Sequence, residues 1–364
     1  MVSLNDTPDD QTIRPGMEIT EINGRDVKSI LARLYLTQAS DGDIETGRRN
    51  SIQEDFSEFY WAFIEQTNVF KIRAQDAIHR WISTELKGVT DNQRKTNQNP
   101  VNAGMLAGLG KVHWTDENLA LRFLKDPDIA EIRVGSFSVN NFPEWIENTF
   151  ETLQEKKTKV LILDLRGNHG GRDKFGAMLV SCLTDKPFPY FNHINIRVIT
   201  LDSNVAGYFN WPDDQQLALR EGVVANPEGG YLATARLNPG VGEQSPAKHP
   251  FLGKVFILIN GGTFSAAADF CAIIRHLKRA TFIGEETGGA YYGNNSGMMP
   301  ILTLPNSGLR IPVPMYEYWN AVMGDGGSRR GTRPDYPVET TAANVMRGLD
   351  EQFDVALRLA NSNR

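Results

Sequence analysis

Lys254 to Ala272 reads KVFILINGGTFSAAADFCA. Its run Val255–Ile259 is apolar without a break, the pattern of a strand buried on both faces. Asn260, Gly261 and Gly262 then mark a turn, because glycine tolerates backbone angles that other residues avoid. Thr263, Phe264 and Ser265 lead into Ala266, Ala267 and Ala268, small residues that open a helix. Such a turn exposes the Ser265 hydroxyl, and the helix start leaves backbone N–H groups unpaired. A serine nucleophile needs both. On local pattern alone, however, a serine after a glycine turn is an ordinary helix N-cap. The G-x-S-x-G elbow is absent, since Thr263 and Ala267 flank the serine. The stretch sets an α/β fold class and leaves the chemistry to the rest of the chain.

A second unit of the same kind lies upstream. Lys159–Leu165, KVLILDL, is another continuous apolar strand. Arg166-Gly167-Asn168-His169-Gly170-Gly171 follows, and then a helix over 173–183. Before it, 119–123 and 129–134 read as paired strands. A helix over 143–157 starts at Pro143, a favoured first helical residue. Between the units, 186–250 is rich in Pro, Gly and aromatics with weak periodicity, which predicts an irregular insertion serving as lid or substrate wall. After the second unit come a strand at 280–284, a glycine loop at 285–289, an edge strand at 309–314 and an amphipathic helix over 344–359.

The N-terminal part has a different texture. Residues 13–27 alternate around an Asn23-Gly24 turn, which predicts two short strands with Met17, Ile19 and Ile22 inward. A helix over 27–36 follows, then an aromatic stripe at helical spacing over 52–64, read as core packing. A strand at 69–73 returns to this module. Residues 87–104 are polar and aperiodic, and read as a linker. His79 is placed on a short helix beside Trp81, and His113 follows Val112.

Composition narrows the function. The chain has 364 residues, 40% hydrophobic and 23% charged, which is globular. A net charge of -6 argues against nucleic acid or an anionic membrane as the main partner. No apolar run approaches the roughly 18 residues of a membrane span. The first ten residues are polar and acidic, unlike a signal peptide. The two cysteines and six histidines show no metal-ligand spacing, so no metal is expected. Neither a Walker loop nor G-x-G-x-x-G occurs, and no organic cofactor is implied.

Several segments together resemble one family. Asp164–Gly171, DLRGNHGG, resembles the D-L-R-x-N-x-G-G loop of the S41 serine peptidases, the C-terminal processing proteases and their tricorn-core relatives. Asn260–Ala267 resembles their nucleophile segment. Ile283–Gly289, IGEETGG, resembles the V-G-x-x-T-G-G loop, and Gly331–Val338, GTRPDYPV, resembles G-x-x-P-D-x-x-V. Pro15–Gly24 is similar to a stretch of the PDZ-like module of this family. The resemblance implies an α/β, ClpP/crotonase-like core of stacked ββα units with a partial PDZ-like N-terminal module. It places that module at 1–75, a linker and connecting segment at 76–118, and the peptidase core at 119–364. It implies hydrolysis of peptide bonds in protein or peptide substrates through an acyl-enzyme on Ser265. Backbone N–H groups of Gly170 or Gly171 and of Ala266 would form the oxyanion hole. An exported location, periplasmic or at the cell surface, is implied as well.

Departures from the pattern bear on the base. The processing proteases carry a lysine in the loop after T-x-G, but Ala290 stands there, and no lysine occurs between Arg279 and the C-terminus. A lysine base from this loop is excluded. The tricorn-like branch uses a histidine ahead of the PDZ-like module. The expectation is a Ser–His peptidase whose base lies outside this chain, leaving the chain by itself poorly activated. His169 and His113 are weak in-chain alternatives, and Asp269, Glu285 and Glu286 are nearby carboxylates that could orient a base. Ala268 stands where the family often has Glu. Asp164 and Arg166 are expected to fix their turn by an internal ion pair. The alternative function is a non-catalytic protein on the same fold that binds peptides or lipophilic ligands.

Overall fold

The computed structural model describes residues 5–362 except 94–117, 325–328 and the single positions 6, 8, 9, 77, 91, 127, 342, 343, 345 and 346. His113 lies outside the described residues. The central sheet runs Tyr336–Pro337, Thr281–Gly284, Lys254–Ile259, Val160–Asp164, Ile129–Val134 and Leu119–Phe123 in spatial order. Neighbours are parallel except the last pair, which is antiparallel. The two apolar strands lie side by side at its centre, with Val255 opposite Leu161 and Leu258 opposite Asp164.

Both faces of these strands are covered, which is why their sequences do not alternate. On one face Leu161, Leu163, Val255 and Ile257 pack with Ile146 and Phe150 of the Phe142–Glu155 helix, Leu179 of Asp173–Ser181, and Phe270 of Ala266–His276. On the other, Val160, Ile162, Phe256 and Leu258 meet Phe353, Ala356 and Ala360 of the closing helix, Glu351–Ser362. That helix begins later than the predicted 344. Gly348 has φ +65°, and the Asp350 carboxylate accepts the Phe353 N–H at 3.1 Å, a start signal just before Glu351. Leu349, ahead of the helix start, is exposed.

The 186–250 segment is not irregular. It contains strands Phe191–Ile196, Val223–Ala225 and Tyr231–Ala233, which join Tyr316–Asn320 and Asn295–Ser296 in a five-stranded sheet. Its strands are short and broken by a turn at Asn226–Gly230, so no long period survives in the sequence. Gly229 and Gly230 turn that hairpin at φ +106° and +75°.

The N-terminal module is a four-stranded sheet in the order Arg25–Asp26, Glu18–Ile22, Val69–Gln75, Trp81–Lys87, backed by helices Val27–Thr37 and Glu45–Phe63. Met17, Ile22, Leu34, Ile52, Tyr60 and Ile72 form its core. Trp81–Lys87 pairs residue for residue with Val69–Gln75, so the sheet continues past residue 75 into the segment read as a connection. His79 sits in the turn between those strands at φ +61°, not on a helix. The Glu45–Phe63 helix starts seven residues before the aromatic stripe, and its first turns dock on the core. A Cβ on Gly47 would lie 3.2 Å from the Gly288 Cα, and one on Gly262 would lie 3.2 Å from the Asn50 amide. Among the described residues no helix is long and apolar enough to cross a membrane.

Candidate active site

The Lys254–Ile259 strand and the Ala266–His276 helix are joined by a turn whose last residue, Ser265, sits at φ 50°, ψ −130°. Few non-glycine residues adopt positive φ, and such strain persists only where the surroundings over-determine it. Here they do. Asn260 Oδ1 accepts the Gly262 N–H at 3.0 Å and the Gly167 N–H at 2.9 Å, tying this turn to the one after Val160–Asp164. The buried Thr263 hydroxyl donates to the Leu165 carbonyl at 3.0 Å. The Phe264 N–H donates to the Asn168 carbonyl and the Gly288 N–H to the Thr263 carbonyl, both at 3.0 Å. Three glycine loops far apart in sequence are thereby laced around one half-buried serine.

The 167–171 loop touches that serine directly. A Cβ on Gly170 would lie 2.7 Å from Ser265 Cβ and 2.9 Å from the Ala266 nitrogen, at φ +94°. Asn168 shapes the loop from beneath. Its Nδ2 donates to the Val134 carbonyl and its Oδ1 accepts the Gly170 N–H, both at 2.9 Å. The Gly170 N–H is therefore occupied. The N–H groups of Gly171 and of Ala266, the first residue of its helix, carry no such bond among the described residues.

A cleft of about 490 Å³ opens beside the serine, lined among others by Ser265, Asp173, Asp269, Met299 and Tyr318. Asp269 is one helical turn from Ser265 and only 3% exposed. Its carboxylate accepts from the Asn320 amide at 2.9 Å and the Asn294 amide at 3.1 Å. Burial pushes its pKa up to about 7, with Asp173 and Asp41 adding repulsion against the two amides. The sequence offers Asp269 only as a nearby carboxylate, and its four-residue distance from Ser265 is the signal that puts it on the serine's face of the helix. Asn294 and Asn320 carried none.

The raised pKa has a consequence for stability. The folded state keeps the Asp269 proton to about pH 7, whereas an unfolded aspartate releases it near pH ~4. The stability that goes with this protonation is therefore full below pH ~4 and falls as pH rises through about 7. Asp269→Asn removes the burden. The variant should be more stable than the parent by about 1–2 kcal/mol at pH 8, with the gap closing toward pH 4 in urea titrations.

The other sequence-derived candidates lie elsewhere. His169 is exposed and faces Glu54 of the Glu45–Phe63 helix, Nε2 to Oε1 3.2 Å, and the hydrogen bond to Glu54 raises its pKa. Glu286 is buried, accepts the Arg330 Nε–H at 2.9 Å and the Gly331 N–H at 2.8 Å, and pins the 331–338 segment. Glu285 is half-buried, and burial raises its pKa. None of these three lines the cleft, nor does any described histidine. The Ala290 N–H reaches Asp41 Oδ2 at 3.3 Å. Asp164 and Arg166 form the expected internal ion pair at 2.8 Å, and Arg166 also holds Asp350 at 2.8 Å and Gln352 Oε1 at 3.1 Å. Asp350 and Gln352 were not visible as partners in the sequence. Among the described residues no group of three or more His, Cys, Asp or Glu could hold a metal ion.

Comparison with known proteins adds a family. The family model described as peptidase family S41 matches residues 128–338, more than half of the chain. The crystal structure of mature CPAF superposes with a TM-score of 0.64 at 18% identity, covering 98% of this chain and 79% of that one. The structure of mature CPAF complexed with lactacystin gives 0.61 at 17% identity, covering 96% and 78%. At these identities the likeness is one of fold. An uncharacterized protein of Chlamydia muridarum (strain MoPn / Nigg) is 29% identical over 181 residues, 41% of this chain and 30% of that protein's length. The match spans less than a third of that relative.

Proposed function

Since the chain belongs to peptidase family S41, we propose that it hydrolyses peptide bonds of protein or peptide substrates by covalent catalysis on Ser265. The observation that carries this reading is the strained Ser265 backbone pressed against Gly170 at the mouth of a cleft. Strain of this kind at a half-buried serine beside a cleft is what a nucleophile turn stores. In this reading Ser265 Oγ attacks the substrate carbonyl carbon and its proton passes to a base. The carbonyl oxygen, now an oxyanion, accepts from the N–H groups of Gly171 and Ala266, each worth about 3 kcal/mol in the transition state. The proton is then delivered to the departing amine, and water releases the acyl group from Ser265. We assign the base to a histidine outside the described residues, in keeping with the Ser–His branch that the sequence resembles. His169 is engaged by Glu54, and Glu286 by Arg330.

A fluorophosphonate probe tests the assignment. The expected result is a covalent adduct on the peptide bearing Ser265, mapped by tandem mass spectrometry and lost in Ser265→Ala. Labelling that persists in Ser265→Ala overturns it. No labelling at all in a protein that includes the histidine base favours the binding-protein alternative.

A further inference from the structure

One edge of the five-stranded sheet is open where it meets the cleft. Asn295–Ser296 is its end strand and, among the described residues, pairs only with Tyr316–Asn320. The Asn320 N–H donates to the Tyr292 carbonyl and the Tyr318 N–H to the Asn294 carbonyl, both at 2.8 Å. In a trans peptide the N–H and C=O point opposite ways. The Asn294 carbonyl faces Tyr318, so the Asn295 N–H faces away from the sheet. Asn295 lies opposite Glu317 in a non-hydrogen-bonded pair, so its carbonyl faces away as well. Asn295 is exposed, and among the described residues no other group takes up its N–H or C=O. Native sheet edges are commonly blunted by charge or proline. Residues 292–298, YGNNSGM, have neither.

This edge leads to Ser265. Ser296 and Gly297 line the same cleft as the serine. The Asn294 amide donates to Asp269 at 3.1 Å, one helical turn from Ser265, which ties the strand to the nucleophile's helix. Gly171 also lines the cleft, and its backbone is open by the same rule. The Phe137 N–H donates to the Gly170 carbonyl at 2.9 Å and the Arg172 N–H to the Phe137 carbonyl at 3.0 Å. The Gly171 N–H and C=O therefore both point away from Phe137. With the N–H given to the oxyanion, the carbonyl is left to accept a substrate amide.

We propose that the substrate chain binds as an extended strand added to the Asn295 edge, exchanging backbone hydrogen bonds with the Asn295 N–H and C=O and donating one to the Gly171 carbonyl. The inference rests on Ser265 being the nucleophile, because that makes the cleft the substrate's path. Strand addition draws its affinity from main-chain hydrogen bonds. The substrate class is therefore an extended or unfolded polypeptide segment, recognised by its backbone with side chains secondary. A helical segment, whose N–H and C=O groups are already paired, would not be held.

Binding to the Ser265→Ala chain, read by fluorescence anisotropy, tests this apart from turnover. The probe is a pool of labelled octapeptide amides with randomised side chains. Adding Asn295→Pro should weaken binding about tenfold, whereas Asn295→Ala, which keeps the N–H, should leave it unchanged. Proline there costs no ladder bond, because the Asn295 N–H points outward. The same pool with every amide N-methylated should also bind about tenfold more weakly. Hydrogen exchange on the chain without either Asn295 substitution gives a reading that does not depend on how the proline variant folds. Exchange of the Asn295 amide should slow when the pool is added. Absence of binding, an alanine effect equal to that of proline, or unchanged exchange at Asn295 each overturns the proposal. A dimer that Asn295→Pro splits would give the edge to a second copy of the chain and overturn it as well. A missing Ser265 adduct would instead count against the peptidase reading, since these affinities do not require the hydroxyl.

Discussion

Gly170→Ala is expected to abolish hydrolysis about as completely as Ser265→Ala, a loss of three or more orders of magnitude in kcat/KM. The added methyl carbon would lie 2.7 Å from Ser265 Cβ and 2.9 Å from both the Ala266 nitrogen and the Phe264 carbonyl oxygen. Two of these neighbours are backbone atoms of the strained turn, so none can swing aside. The φ of +94° adds strain for any side chain. The loop must therefore withdraw from the serine, carrying the Gly171 N–H with it. Loss of one oxyanion donor costs about 10²–10³ in rate. A misplacement of about 1 Å between nucleophile and carbonyl costs on the order of another 10². Stability should change far less, because the loop remains anchored by Asn168 to Val134 and by Asn260 to Gly167. Peptide hydrolysis and a thermal melt, read side by side, check both halves. Activity within tenfold of the parent would show that Gly170 does not shape the site.

The legible part of this molecule is the part encoded locally. Val255–Ile259 and Val160–Leu163 are apolar at consecutive positions because each face of the sheet meets a different helix layer. The turn glycines announced themselves for the same reason, since only glycine fits where Gly170 meets Ser265. What escaped depends on contacts between distant residues. Asn260 to Gly167 spans 93 positions and Arg166 to Asp350 spans 184, and nothing local marks either partner. The second sheet was missed because its strands are short, as with Tyr231–Ala233, and take their pairing from Phe191–Ile196 and Tyr316–Asn320. Asp269 lay between these cases. Its helical spacing from Ser265 was readable, but the two amides that hold it, Asn294 and Asn320, come from beyond the helix.

Arg166→Ala is expected to destabilise the fold by about 3–5 kcal/mol, the cost of removing one partner from a buried ion pair. Arg166 is 4% exposed and Asp164 is fully buried. Its Nε and Nη2 grip Asp164 at 3.0 and 2.8 Å while Nη1 and Nη2 hold Asp350, both at 2.8 Å. The alanine leaves Asp164 with Arg133, at 3.2 Å, and the backbone N–H of position 166, at 3.0 Å, but without the guanidinium, and it releases the start of the closing helix from the central sheet. Arg166→Met restores volume but no charge, so it should recover only the packing share of the loss. The pH dependence separates this from a simple cavity. Burial raises the Asp164 pKa, but Arg166 and Arg133 outweigh it and hold the carboxyl below the usual range. In the parent, the stability tied to that depressed pKa is present above pH ~4 and lost only as pH falls below it. Without Arg166 the buried Asp164 takes up a proton at higher pH, which removes its unpaired charge. The gap between parent and variant in urea titrations should therefore narrow from pH 7 to pH 4. A gap that stays constant over that range would mean the loss is one of packing, and that Arg166 does not act through the charge on Asp164.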